Sequence, residues 1–152
     1  MEYFPAPLTR AESDELIARI EASFREHGFG VWALELPGET PCAGFVGLIS
    51  AAPNLPFAPA VEVGWRLARA QWGRGIATEA ARAAMAFAFD ELEIPELVSF
   101  TTVGNLRSRR VMERLGMRRE QAEDFMHPAL APEHPLAPHV LYRIPAPAPP
   151  AR

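Results

Sequence analysis

The chain has 152 residues, a net charge of -4 and a single cysteine. That length suits one domain with a real core, and the acidic balance argues against a dedicated nucleic-acid binder. No apolar run reaches the roughly 20 residues that cross a bilayer, Met1-Glu2-Tyr3-Phe4-Pro5 has no signal-peptide form, and Cys42 has no internal disulfide partner, so a cytoplasmic protein with no membrane partner is expected.

In chain order, Thr9-Arg10-Ala11-Glu12 has the form of a capping box. Leu16, Ile17, Ile20 and Phe24 then recur at helical spacing up to Gly28, which predicts an amphipathic helix over 10–27. Strands over 29–36 and 42–50 follow, joined by the turn Pro37-Gly38-Glu39-Thr40-Pro41. Residues 51–59 hold three prolines and read as a loop. Val61, Val63, Trp65 and Leu67 alternate with Ala60, Glu62, Gly64 and Arg66, so a third strand sets Glu62 opposite the large apolar groups. A glycine-containing turn opens a long helix over 76–93. A strand over 97–103, a helix over 106–115 capped by Asn105, and strands over 117–125 and 138–144 complete a single domain spanning 1–144. The Pro/Ala tail 145–152 is expected to be disordered. Cys42, beside Ala43 and Gly44, reads as a small core residue.

Two segments carry chemistry. In Trp72-Gly73-Arg74-Gly75-Ile76-Ala77-Thr78 a strand turns into a helix, whose first unpaired N–H groups and partial positive charge suit a phosphate. Glycines there allow close approach to the backbone. The third glycine of a dinucleotide fingerprint is missing, and the chain contains no lysine for a phosphate loop. In the second segment, Ser108, Val111, Met112 and Leu115 share one helix face, with Asn105 above Ser108. Asn105 either caps the helix or serves a ligand. Arg107, Arg109, Arg110, Arg114, Arg118 and Arg119 form a local basic cluster, read either as a solvated face or as contacts for a small phosphorylated ligand. His127 and His139 find no further ligand at metal spacing, so no metal is expected.

Together, Glu62-Val63-Gly64-Trp65-Arg66-Leu67, Gln71 to Ala80 and Asn105-x-x-Ser108-x-x-Val111-x-Glu113-x-Leu115-Gly116-Met117 resemble the GNAT superfamily of acetyltransferases, in the branch similar to ribosomal-protein N-terminal acetyltransferases. The resemblance runs from Tyr3-Phe4-Pro5 to Tyr142-Arg143, with the family's first strand and helix expected to be absent ahead of it. It implies an α/β fold around a mixed, mostly antiparallel sheet with splayed central strands. It also implies acetyl-coenzyme A and an amine acceptor as partners, and an exposed sheet edge open to homodimerisation. By the same resemblance, backbone groups of Trp65, Arg66 and Leu67 pair with the pantetheine arm. Amides of the loop from Trp72 through Gly73, Arg74, Gly75, Ile76, Ala77 and Thr78 bind the pyrophosphate. Asn105 contacts the pantetheine, and Ser108 lies near the thioester sulfur. Met112 stands where many members have a tyrosine acid, so Ser108 is the substitute donor and Tyr142 a second candidate. Glu62 is the expected proton acceptor, against a plain reading as a solvated carboxylate. A non-catalytic acyl-coenzyme A-binding protein of the same fold and an RNA-contacting module are the alternative readings.

Overall fold

The computed structural model describes residues 7–148; Tyr3-Phe4-Pro5 and residues 149–152 lie outside them. Helix α1 (Arg10–His27) begins at Thr9, whose hydroxyl accepts from the Glu12 N–H while the Glu12 carboxylate accepts from the Thr9 N–H at 2.7 Å. This is the expected capping box. The expected apolar face, however, is no core face: no residue of α1 is buried, and Ile17 is 54% exposed. Its last turns dock instead, where the Phe24 ring meets Trp32 edge-on at 5.5 Å.

Among the described residues, seven strands form one sheet: β1 (Val31–Leu36), β2 (Thr40–Ser50), β3 (Val61–Leu67), β4 (Glu96–Thr102), β5 (Arg118–Arg119), β6 (Phe125–Met126) and β7 (Pro138–Pro145). Their order is β1-β2-β3-β4-β7-β5, with β6 also on β7, and every pairing is antiparallel except β3 with β4. The fold is therefore the expected α/β one, a mostly antiparallel open sheet flanked by helices. The odd residues of β3 and the even residues of β2 and β7 share one face, so Val46, Leu48, Val63, Val140 and Tyr142 join Leu97 in the core. Helix α2 (Ile76–Asp90) covers them with Ala81, Ala84 and Ala88, whose small side chains at i, i+3 and i+7 let it lie close to the sheet. Helix α3 (Leu106–Arg114) adds Met112 from the same side.

Four expectations are corrected. The helix over 76–93 stops at Asp90, because Glu93 is left-handed (φ 52°) and the Ile94 N–H returns to Ala88 O at 3.0 Å. The strand over 117–125 is two dipeptide strands, since Gln121–Glu123 tightens into a single turn between them. Cys42 is exposed rather than core, because the β1–β2 register shifts between the Leu34–Gly44 and Leu36–Thr40 pairs and breaks the alternation there, leaving Ala43 as the buried residue. The expected tail starts too early: Pro145 ends β7, and the Ala146 N–H donates to Pro95 O at 2.8 Å.

The site-making feature is a fork. β3 and β4 pair at Val61–Leu97 and Glu62–Val98, and beyond those two rungs they part, although β3 runs on to Leu67 and β4 to Thr102.

Candidate active site

The fork exposes main-chain groups. Ala51 N–H donates to Ala60 O and Ala68 N–H to Ala43 O, which fixes the even residues of β3 as those bonded to β2. Peptide groups of the odd residues, Val63, Trp65 and Leu67, therefore point into the gap, and those of Arg66 do not. The Leu67 carbonyl is already engaged, accepting from the Trp72 indole N–H at 3.0 Å.

Two cavities meet at this gap. A fork cavity of about 530 Å³ is lined by Glu62, Gly64, Phe100, Met112, His127 and His139, among others. A loop cavity of about 620 Å³ is bounded by the β3–α2 turn and the start of α3. Trp65, Arg66, Asn105 and Ser108 belong to both. The sequence-expected residues line one or the other with a single exception: the side chain of Arg74 turns away to the β1–β2 turn, where it pairs with Glu39 at 2.8 and 2.9 Å.

At the loop cavity, Gly75 is the N-cap of α2 in the left-handed region (φ 79°) and offers no side-chain cap. Gly73 is likewise left-handed (φ 75°), and neither glycine has a heavy atom within 4 Å of where a Cβ would sit. The first amides of α2 at Ile76, Ala77 and Thr78 thus open onto the cavity with the helix dipole behind them. The expected arginine cluster is divided. Arg107, Arg110 and Arg114 line this cavity, with the Arg107 guanidinium 4.6 Å from the Trp72 ring. Arg109 instead donates to Val103 O at 3.0 Å, and Arg119 pairs with Asp124.

At the junction, Asn105 caps α3, its Oδ1 accepting from the Ser108 N–H at 3.3 Å. Its Nδ2 donates to Thr101 Oγ1 at 3.0 Å and to Ser108 Oγ at 3.1 Å. The amide is therefore committed to the helix start. In consequence the Ser108 oxygen accepts, and its own O–H has no acceptor among the described residues. Tyr142 is no rival, because it is buried and its hydroxyl donates to Glu113 at 3.2 Å.

Glu62 stands at the crotch of the fork, on the last paired rung, with its carboxyl over the bare face of Gly64. Burial pushes its pKa up to about 8, and no charged group among the described residues compensates. An isolated enclosed carboxylate in a cleft is a candidate functional position. The histidines were underrated from the sequence: both line the fork cavity, at the two ends of the loop between β6 and β7. The Phe125–His139 rung that joins them is set by tertiary pairing, with alternation Phe125-x-His127 as the one local clue.

Residues 1–118 match the model of the acetyltransferase (GNAT) domain family. The chain belongs to the GNAT acetyltransferase family. As a member of that family it is an acyltransferase. Among its relatives, YkkB of Bacillus subtilis (strain 168) is 27% identical over 118 residues, covering 77% of this chain and 67% of YkkB. YdaF of the same organism, described as a candidate ribosomal N-acetyltransferase, is 41% identical over 67 residues, 43% of this chain and 37% of YdaF. The crystal structure of an acetyltransferase from Agrobacterium tumefaciens C58 superposes with a TM-score of 0.70 at 28% identity, over 91% of this chain and 74% of that one. GNAT members use acetyl-coenzyme A, and the main-chain donors and arginines of the loop cavity fit its anionic end. No helix among the described residues is long and apolar enough to cross a membrane.

Proposed function

We propose that this GNAT domain transfers the acetyl group of acetyl-coenzyme A to a primary amine by direct attack in a ternary complex. The observation that carries the reading is the junction of the two cavities at Trp65, Arg66, Asn105 and Ser108. A long thioester laid in the loop cavity would present its acyl end there, and an amine would meet it from the fork cavity. Amides from Gly73 to Thr78 hold the diphosphate, and the odd peptide groups of β3 hold the pantetheine arm. Arg66 and Trp72 contribute through their side chains, Arg74 through its backbone alone.

The thioester supplies an activated acyl carbon. As the amine nitrogen bonds to it and the C–S bond breaks, Glu62 takes the amine proton through a water. A base with a pKa near 8 is far stronger than an ordinary carboxylate, so the same burial that disfavours its charge equips it to deprotonate an amine. Ser108, its oxygen held by Asn105, turns its O–H toward the departing sulfur and stabilises the negative charge there.

Thiol release with acetyl-coenzyme A and a broad amine panel, alongside calorimetric binding of coenzyme A, tests this. Release with at least one amine is expected; binding without release from any amine leaves a non-catalytic acyl-coenzyme A-binding domain. Ser108→Ala should lower kcat by about 10- to 100-fold with little change in KM, since the lost bond forms as charge develops; steady-state rates equal to wild type exclude the role. Gly75→Asp should raise KM for acetyl-coenzyme A by about 30-fold or more, whereas Gly75→Asn, of the same shape and also tolerant of the left-handed region, should raise it several-fold less. Equal effects of the two substitutions would show that no anion sits at the α2 start.

A further inference from the structure

The transfer reading leaves five rings unexplained. Phe57, Phe100 and Phe125 form a triangle with centroids 5.3 to 5.7 Å apart. His139 and His127 extend it at 5.5 Å from Phe125 and 6.0 Å from Phe100, and stand 4.9 Å from each other. Pairing puts them together: His139 lies between Thr102 of β4 and Phe125 of β6, on the sheet face that also bears Glu62 and Phe100. Phe100, His127 and His139 present this cluster to the fork cavity.

The wall is aromatic rather than ionic. His127 Nδ1 accepts from the Ala129 N–H at 3.2 Å, so its proton sits on Nε2, and His139 Nδ1 donates to Ala137 O at 3.0 Å. Burial lowers the pKa of both, keeping them neutral. The charged side chains lining the cavity are Glu62 and Arg66, and the Arg66 guanidinium is spread over the Phe45 ring at 5.3 Å. A polyamine would call for separated carboxylates, and Glu62 is the cavity's lone one among the described residues. Phe100 lies two residues beyond the Glu62–Val98 rung on the same face. That is roughly 7 Å along the strand, the reach of a two- or three-carbon chain between an amine and a ring.

Resting on the transfer reading above, we infer that the acceptor is an arylalkylamine, its amine at the fork and its aromatic ring on the Phe100–His127–His139 wall. Offset or edge-on contact with these rings supplies the affinity, and the short linker sets the amine beside Glu62.

The test is calorimetric binding of 2-phenylethylamine, n-butylamine, spermidine and an alanine-initiated tripeptide to the protein saturated with coenzyme A. 2-Phenylethylamine should bind about tenfold more tightly than the other three, and His127→Ala should reduce that preference to about threefold or less. Phe100→Leu should do the same, and circular dichroism of both variants identifies any that fails to fold. Equal affinities, or preference for spermidine or the peptide, overturn the inference. Because binding is read without turnover, absence of thiol release with every amine sinks the transfer reading separately.

Discussion

Glu62→Gln should lower kcat/KM for the acceptor amine by about 100-fold or more at pH 8, the range expected for loss of a positioned general base. Because burial raises the carboxyl pKa to about 8, the basic form accumulates as pH rises through that value. Wild-type rates should therefore climb between roughly pH 7 and 9, and the variant should show a flat profile. The same substitution should have an opposite effect on stability. A carboxyl whose folded pKa is raised stabilises the fold fully below its ordinary pKa of 4.5, and that contribution is lost as pH rises through about 8. Glutamine needs no proton, so at pH 9 the variant should be more stable than wild type by roughly 2–4 kcal/mol, an amount reduced from the full shift because cavity water reaches the group. Rate profiles from pH 6 to 9 and denaturant melts at pH 5 and 9 check both halves. A variant that keeps the alkaline rise would remove Glu62 from the proton path.

Gly47→Ala should cost about 3 kcal/mol and lower Tm by roughly 6–12 °C. A Cβ at this position would lie 2.3 Å from the carbonyl oxygen of Gly30 and 2.4 Å from Val31 Cα. Both obstacles are main chain, so no side-chain rotation relieves them, and β1 must part from β2. The consequence reaches the site, because β2 carries β3 and hence one arm of the fork. Thermal unfolding followed by circular dichroism measures the loss; a shift under about 2 °C would show that the hairpin accommodates the methyl group.

Local signals carried much of the fold. Thr9-Arg10-Ala11-Glu12 closes its box with side chains three residues apart, and Gly75 opens α2 through its own backbone freedom, so both are legible in short windows. The end of α2 was less so: nothing adjacent marks Glu93 as left-handed, and only the return of the Ile94 N–H to Ala88 makes that conformation worthwhile. The α1 face misled because helical spacing tells which residues share a side, not whether anything covers it. The direction of the Arg74 side chain was equally unreadable, for its place in the loop says nothing of Glu39, 35 residues upstream.

The sequence alone determined the phosphate-suited turn at Gly73 to Thr78 and the face of β3 on which Glu62 lies, since each depends on spacing within one element, and it determined the family through three motifs that are read together along the linear chain. The tertiary structure decided the rest: the two-rung limit of the β3–β4 pairing and the meeting of His127 and His139 with Phe100. These arise where strands distant in the chain are hydrogen-bonded or parted, and the energy of that pairing belongs to no single stretch of residues.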